Sequence, residues 1–414
     1  MGCRLMKMKS RISFGLVMGC RSNNNACDTK AVCSKKCRML ELKCCEVLVT
    51  MPVEYMERAL SLAELALGHA SPNPAVGAVI IRDGEIVGEG YTQPPGSDHA
   101  EIVALHQAGE NARGATMYVT LEPCCHFGRT PPCTQSIIAA GIKEVHMAII
   151  DPNPVVNGKG KDELEKAGIK TYLGEEEEKA RLLNECYIKY ITTGTPFITV
   201  KFAMSLDGKI ATRTGDSKWI SGEAARRYAH FMRYAADAIM VGINTILVDN
   251  PHLTQRVGKH GGQAEKQPLR VIVDSKGRIP LNARVFKMPG KTLVAVANMA
   301  DRGKKDKLTQ MGVQVMELPG DDERVDLHRL LQELGKKEIS NILVEGGSTL
   351  LGSFFDQKLA DKIIIFLSPV IIGGEDALSP IGGKGVSKMS EAIRLNRVKM
   401  KVLSDDALIM GYVK

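Results

Sequence analysis

The chain reads as a two-domain α/β protein, on three observations. Its 414 residues suffice for two or three hydrophobic cores of ordinary domain size. Short apolar and β-branched runs alternate with helix-period segments through both halves, the pattern of sheets covered by helices. Between the halves, Thr193-Gly194-Thr195-Pro196 is a run of turn formers that marks the best boundary. The division expected is an extension at 1–50, a first domain at 51–174, a connecting helix and linker at 175–195, and a second domain at 196–414.

Composition narrows the class. Hydrophobic residues make up 44% and charged residues 25%, ordinary values for a globular protein, and no apolar run approaches the ~18 residues of a membrane span. The net charge of +8 is concentrated at one end: residues 1–50 hold ten Lys/Arg against Asp28, Glu41 and Glu46, so residues 51–414 carry only +1. That balance argues against a nucleic-acid surface on the folded part. Seven of eleven cysteines precede residue 51, and three of the other four fall between Cys124 and Cys133. Such clustering suits a metal site in a reducing compartment rather than a disulfide framework. Residues 1–50 have neither clear periodicity nor the apolar core of a signal peptide, and are expected to be disordered or to precede a true start at Met51. A second metal site at Cys33 and Cys37 is disfavoured, because their spacing is C-x3-C and no histidine supports them.

Met56, Leu60, Ala63 and Leu67 recur at helical spacing before Gly68, and Ser71-Pro72-Asn73-Pro74 forms a rigid loop. Strands at Val76–Arg82 and Glu85–Tyr91 are joined by Asp83-Gly84, a hairpin signal. A helix over His99–Ala108, a strand at Thr116–Leu121, a short helix at Ser136–Ala140 and a strand at Val145–Ile150 follow. Lys159–Ala167 and Ile169–Leu173 complete the domain, and one helix is expected from Glu175-Glu176-Glu177-Glu178 through Tyr190.

The chemistry of this half sits in His99-Ala100-Glu101 and in Pro123-Cys124 through Pro132-Cys133. One imidazole and two thiolates leave one position of a tetrahedral zinc open, the catalytic arrangement. A carboxylate two residues past the histidine is placed to handle protons without being a ligand. H-x-E followed by P-C and a second cysteine is the signature of zinc-dependent nucleobase deaminases. Their usual spacing is P-C-x-x-C, whereas eight residues separate Cys124 from Cys133 here. Cys125 is a competing ligand on sequence grounds, but adjacent residues seldom point at one ion, which favours Cys124 and Cys133. Helix N-termini at His99 and Cys133 would favour an anionic thiolate.

The second half opens with a strand at Phe197–Ala203, and a polar loop over Gly215–Ser221 precedes a helix over Glu223–Ala236. Ile239–Val241, Leu269–Val273, Thr292–Ala297, Val313–Leu318 and Ile342–Glu345 read as buried strands. Gly346-Gly347-Ser348-Thr349 then leads into a helix, the anatomy of an anion site, though it carries no G-x-G-x-x-G fingerprint and could be a tight turn.

Taken together, Pro72-Asn73-Pro74, His99-Ala100-Glu101, Leu121-Glu122-Pro123-Cys124, Pro131-Pro132-Cys133, Lys201 through Gly208, Gly215 through Ser221 and Val344-Glu345-Gly346-Gly347 form a specific set. With it, residues 51–414 resemble the bifunctional riboflavin-biosynthesis deaminase/reductase family of bacteria, whose long cysteine spacing is the one seen here. The resemblance implies a cytidine-deaminase-like first domain and a dihydrofolate-reductase-like second domain. It implies zinc-dependent hydrolytic deamination of 2,5-diamino-6-(5-phosphoribosylamino)pyrimidin-4-one, followed by NADPH-dependent reduction of the ribosyl group to ribityl. The implied zinc ligands are His99, Cys124 and Cys133, with Glu101 as proton shuttle. The implied NADPH positions are Ala203, Trp219, Thr245, Asp249, Ser275, Gly347, Ser348, Thr349, Leu350, Leu351, Gly352 and Ser353. Substrate positions fall on Asn73, His126 and Arg129 in the first domain, and on Ser217, Arg233, Leu253, Arg256 and Glu345 in the second. Arg233 and Arg256 suit a substrate phosphate. Cys125 stands where the family commonly has serine, and the extension has no family counterpart.

The reading therefore expects Zn2+ and NADPH as cofactors, small-molecule substrates, no nucleic-acid or membrane partner, a homo-oligomer and a cytoplasmic location. A nucleoside or tRNA-base deaminase is disfavoured by the near-neutral folded part. A nucleotide-binding regulator with structural zinc would more often have four protein ligands.

Overall fold

The computed structural model describes residues 52–255, 266–299 and 301–413. The extension at 1–50, with Cys33 and Cys37, and the expected substrate position Arg256 lie outside the described residues. Among the described residues no helix is long and apolar enough to cross a membrane.

The first sheet has five strands, β1 (Gly77–Arg82), β2 (Glu85–Tyr91), β3 (Thr116–Val119), β4 (Glu144–Met147) and β5 (Lys170–Leu173), in spatial order β2-β1-β3-β4-β5. β1 runs antiparallel to both β2 and β3, while β3, β4 and β5 are parallel. The β1–β2 turn works because Asp83 and Gly84 both take positive φ, +52° and +85°, as a primed hairpin turn requires. α1 (Pro52–Glu64) buries Met56, Ala59, Leu60 and Ala63 on its inner stripe. α2 (Ala100–Ala108) lies directly on β2 because that strand carries glycines: a Cβ at Gly90 would stand 2.1 Å from the Ala100 carbonyl, and one at Gly88 2.2 Å from that of Ala104. This close approach seats the His99 end of α2 against the sheet. α3 (Cys133–Ala140) begins three residues earlier than expected, and α4 (Lys159–Lys166) closes the unit.

The single helix expected after Glu175 is two helices, α5 (Glu177–Leu183) and α6 (Glu185–Thr193). The break falls at Asn184, whose side chain accepts from Ala75 N at 2.8 Å and donates to Ala75 O at 3.0 Å. An asparagine that satisfies a distant backbone in this way competes with the helical ladder. The contact fastens α5 and α6 to the loop carrying Asn73.

The second sheet has nine strands: β6 (Phe197–Ser205), β7 (Ala238–Gly242), β8 (Leu269–Val273), β9 (Thr292–Val296), β10 (Gln314–Glu317), β11 (Asn341–Glu345), β12 (Lys362–Ser368), β13 (Leu395–Leu403) and β14 (Asp406–Val413). Their order is β10-β9-β8-β7-β11-β6-β12-β14-β13, parallel from β10 to β12 and antiparallel through β14 and β13. Both faces are covered. Met240 and Val344 pack with Leu330 of α10 (Leu327–Lys336) and Phe354 of α11 (Ser348–Asp356). Their neighbours Ile239 and Val241 pack on the opposite face with Ile246 of α8 (Ile243–Asp249) and Leu308 of α9 (Arg302–Gln310). α7 (Glu223–Ala235) sits over Phe366 and Leu408. β13 is open to solvent and exposes Val398, Met400 and Val402 on one side. α8, α9, α10, β12, β13 and β14 are additions to the expected elements.

Candidate active sites

α2 and α3 bring the first site together. His99 is the N-cap of α2, Glu101 lies in its first turn and Cys133 opens α3. The loop after β3 delivers Cys124. His99 Nδ1 stands 3.4 Å from Cys133 Sγ and 3.6 Å from Cys124 Sγ, and the three ligand atoms lie within 4.8 Å of one another. That donor set, with room for a fourth ligand, fits a tetrahedral zinc. Cys125, next in sequence, is not part of the cluster. On the far side of the ring, Thr130 Oγ1 lies 3.3 Å from His99 Nε2, a contact that fixes the imidazole and that no sequence signal disclosed.

The electrostatics suit a cation. The Cys133 thiol and the His99 imidazole hold Cys124 down at about 4. The Cys124 sulfur and burial raise Cys133 well above the ordinary thiol value. The Cys124 sulfur also raises His99 to about 9. A metal ion would replace the protons on His99 and Cys133, so its binding strengthens as pH rises. Glu101 is buried, and burial raises its carboxyl above the usual range.

His99, Glu101 and Cys124 line a cavity of about 320 Å³ that also exposes Asn73, His126, Arg129 and Asp151, with Cys133 buried behind it. Among the described residues the buried His126 Nδ1 meets no hydrogen-bond partner, an atom that a ligand would satisfy. Tyr187 donates to both oxygens of Asp151, at 2.9 and 3.2 Å, and burial raises both groups. Glu122, in the ligand loop, accepts from the backbone N–H groups of Asp151, Gly158 and Lys161. Tyr187, Tyr190 and Ile191 of α6 complete one wall, and Glu338, just past α10, reaches the rim.

The second site lies over the C-terminal ends of the parallel strands, the usual place for a ligand in an open α/β sheet. One cavity of about 510 Å³ is lined by Lys201, Ala203, Ser217, Trp219, Arg233, Thr245, Asp249, Leu253, Glu345, Gly347, Ser348, Thr349 and Leu351. A second, of about 500 Å³, shares Gly347 and Thr349 and adds Ser275, Leu350 and Ser353. Gly346 and Gly347 take positive φ, +75° and +87°, which turns the chain from β11 directly into α11. Gly352 lines neither cavity: a Cβ there would stand 2.3 Å from the backbone of Gly382. The glycine lets α11 pack against the backbone at Gly382.

Arg233, an expected substrate position, lines the first of these cavities beside Glu345. Its Nε and Nη2 donate to the Glu345 carboxylate at 2.6 to 3.2 Å, and Nη1 donates to Thr254 O at 3.2 Å. Its guanidinium holds the Glu345 carboxylate in place. Burial opposes ionisation of Glu345, yet Arg233 and Lys201 keep its pKa below the ordinary value. Lys201 had no role assigned from sequence. Burial lowers its pKa, and its Nζ lies 5.4 Å from the Phe366 ring centroid. A lysine inside the apolar alternation of β6 was the available signal. Arg226 stacks on the exposed Trp219, 4.9 Å from the ring centroid.

Comparison with known proteins gives both sites a context. Residues 49–149 match the cytidine and deoxycytidylate deaminase zinc-binding region, and residues 196–409 match the RibD C-terminal domain. The riboflavin biosynthesis protein RibD of Aquifex aeolicus is 45% identical over 355 residues, covering 86% of this chain and 96% of that protein. The chain belongs to the RibD family. The Escherichia coli RibD is 38% identical over 363 residues, covering 86% of this chain and 97% of its own. The solved RibD of Acinetobacter baumannii superposes with a TM-score of 0.79 at 37% identity, over 87% of this chain and 98% of that one. A Thermotoga maritima structure described as a diaminohydroxyphosphoribosylaminopyrimidine deaminase/5-amino-6-(5-phosphoribosylamino)uracil reductase gives 0.75 at 36% identity, with the same coverage. As a RibD, the chain is a bifunctional enzyme of riboflavin biosynthesis, with a zinc-binding deaminase domain followed by a reductase domain.

Proposed function

We propose that the chain hydrolyses the exocyclic amine of 2,5-diamino-6-(5-phosphoribosylamino)pyrimidin-4-one, then reduces the ribosyl group of the product to ribityl with NADPH. The observation that carries the reading is the cluster of His99, Cys124 and Cys133, with ligand atoms within 4.8 Å of one another, set against a cavity that His99, Cys124 and Glu101 line. Bound zinc would supply a Lewis acid able to bring the pKa of a water molecule near 7. Glu101, with its carboxyl pKa raised by burial, carries one water proton to the ring nitrogen as the C–O bond forms, then carries the second, from the added hydroxyl, to the amine as the C–N bond breaks and ammonia leaves. Thr130 holds the His99 ring, Asn73 and His126 meet the pyrimidine, and Arg129 meets the phosphate.

In the second domain NADPH, which supplies the hydride, spans the two cavities that meet at Gly347 and Thr349. Ala203, Trp219, Thr245 and Asp249 hold one part of it, and Ser275, Leu350 and Ser353 the other. Arg233 fixes Glu345 beside the ribosyl group, and Lys201 provides the proton that the opening sugar oxygen requires. Ser217 and Leu253 shape the substrate end, and Arg256 follows in the chain.

The deaminase unit is 51–174, the connecting segment 175–195 and the reductase unit 196–414. The apolar face of β13, with Val398, Met400 and Val402, supports a homo-oligomer, since such a face on an edge strand is ordinarily covered. The free cysteines Cys124, Cys125, Cys133 and Cys186 support a cytoplasmic location. The test follows ammonia release and NADPH oxidation separately. Glu101→Gln should slow ammonia release by about 10²–10⁴ and leave reduction of supplied deaminated substrate unchanged. Ammonia release at the wild-type rate would overturn the mechanism.

A further inference from the structure

The reductase unit reaches into the deaminase cavity through one side chain. Glu338 leaves α10 in left-handed backbone, at φ +60°, and its carboxylate meets Arg129, 209 residues away in sequence. Both Glu338 oxygens accept from Arg129 Nη2, at 2.6 and 2.8 Å. The end of α10 is placed by Gly335, where a Cβ would stand 2.0 Å from the Gly194 carbonyl, so α10 closes tightly on the linker. Tyr190 of α6 packs at the same point, with its hydroxyl 3.4 Å from Gly335 O. Arg129, Tyr190 and Glu338 all face the cavity that holds His99 and Glu101.

An arginine whose Nη2 is taken by a carboxylate presents an incoming anion with a competing negative charge at that nitrogen. The pair is about half exposed, 49% and 54%, and such pairs open readily. A phosphate, with more charge and three acceptor oxygens, displaces a single carboxylate from a guanidinium. We propose that Glu338 is the placeholder for the substrate phosphate. It holds Arg129 at the rim in the free enzyme, gives it up when the phosphate arrives and takes it back as product leaves. Glu338 is thus a positioning residue, through which the reductase unit sets the affinity of the deaminase for its anionic substrate. The inference rests on the reading above that Arg129 meets the phosphate.

The test uses the full chain carrying Glu338→Gln, with inorganic phosphate and ribose 5-phosphate as inhibitors of ammonia release. KM and both inhibition constants should fall by about two- to five-fold, as expected for freeing one exposed ion pair. Inhibition by ribose should not move, and the reductase kcat/KM serves as the check on folding. An unchanged or raised KM with unchanged phosphate inhibition would overturn the placeholder role. Arg129→Met separates the two levels of the argument. Phosphate inhibition that survives it refutes the reading of Arg129 itself. Inhibition lost in Arg129→Met but not strengthened in Glu338→Gln refutes only the role of Glu338.

Discussion

Replacing Glu122 with glutamine should destabilise the zinc loop in a way that can be worked from its contacts. The carboxylate is 3% exposed, and Oε2 accepts from Asp151 N at 3.1 Å and Gly158 N at 2.9 Å, while Oε1 accepts from Lys161 N at 3.0 Å. Glutamine has one acceptor oxygen, so its amide group must face one of these donors. The least costly orientation keeps the first two bonds and leaves Lys161 N unmet, at about 1–3 kcal/mol. The two retained bonds lose their charge assistance, which adds about 1 kcal/mol each. A total near 3–5 kcal/mol corresponds to a drop in thermal midpoint on the order of 10 °C for a domain of this size. Because Glu122 is separated from Cys124 only by Pro123, zinc retention against a chelator should weaken in parallel. Calorimetry and metal analysis of the purified variant read both effects. A midpoint within 2 °C of wild type would mean that the segment from Asp151 to Lys161 does not depend on this carboxylate.

Thr130→Val removes the hydroxyl beside His99 Nε2 at nearly constant volume, and should weaken zinc binding about 10- to 100-fold in chelator competition. Unchanged affinity would show that the ring is oriented by packing alone. The reductase should lose activity as pH rises through a pKa below 10.5, because burial lowers Lys201 and its ammonium form is the one used. Glu345→Gln removes an attraction that keeps the proton on Lys201, so that basic limb should move further down in pH. A limb that stays in place in Glu345→Gln would assign it to another group.

The zinc cluster was legible because metal chemistry demands few residue types in a recognisable spacing. His99, Cys124 and Cys133 were marked by residue type and motif spacing, and the structure brings their ligand atoms within 4.8 Å; the Asp83-Gly84 turn was marked by its dipeptide. The break at Asn184 was not, because the backbone it satisfies belongs to Ala75, 109 residues earlier. The pairing of Arg233 with Glu345, 112 residues on, shows the same limit, because neither segment marks the other as its partner. β13 carries its apolar alternation outward, with Met400 70% exposed, so the pattern that ordinarily signals a buried strand face points to solvent here. The Arg129–Glu338 pair leaves no local trace in either segment.

Helix α6 gives the two activities a common fate. Tyr187, Tyr190 and Ile191 wall the deaminase cavity. The same helix is pinned to the reductase sheet by Glu185 against Lys362 at 2.7 Å and by Lys189 against Asp361. Splitting the gene at the Thr193–Pro196 boundary would therefore not yield two complete enzymes. One product would keep α6 with its charged face stripped of partners, and the other would leave Asp361 and Lys362 without theirs. In a complementation assay, a lesion in α6 should behave as a defect in both steps, unrescued by either half supplied alone.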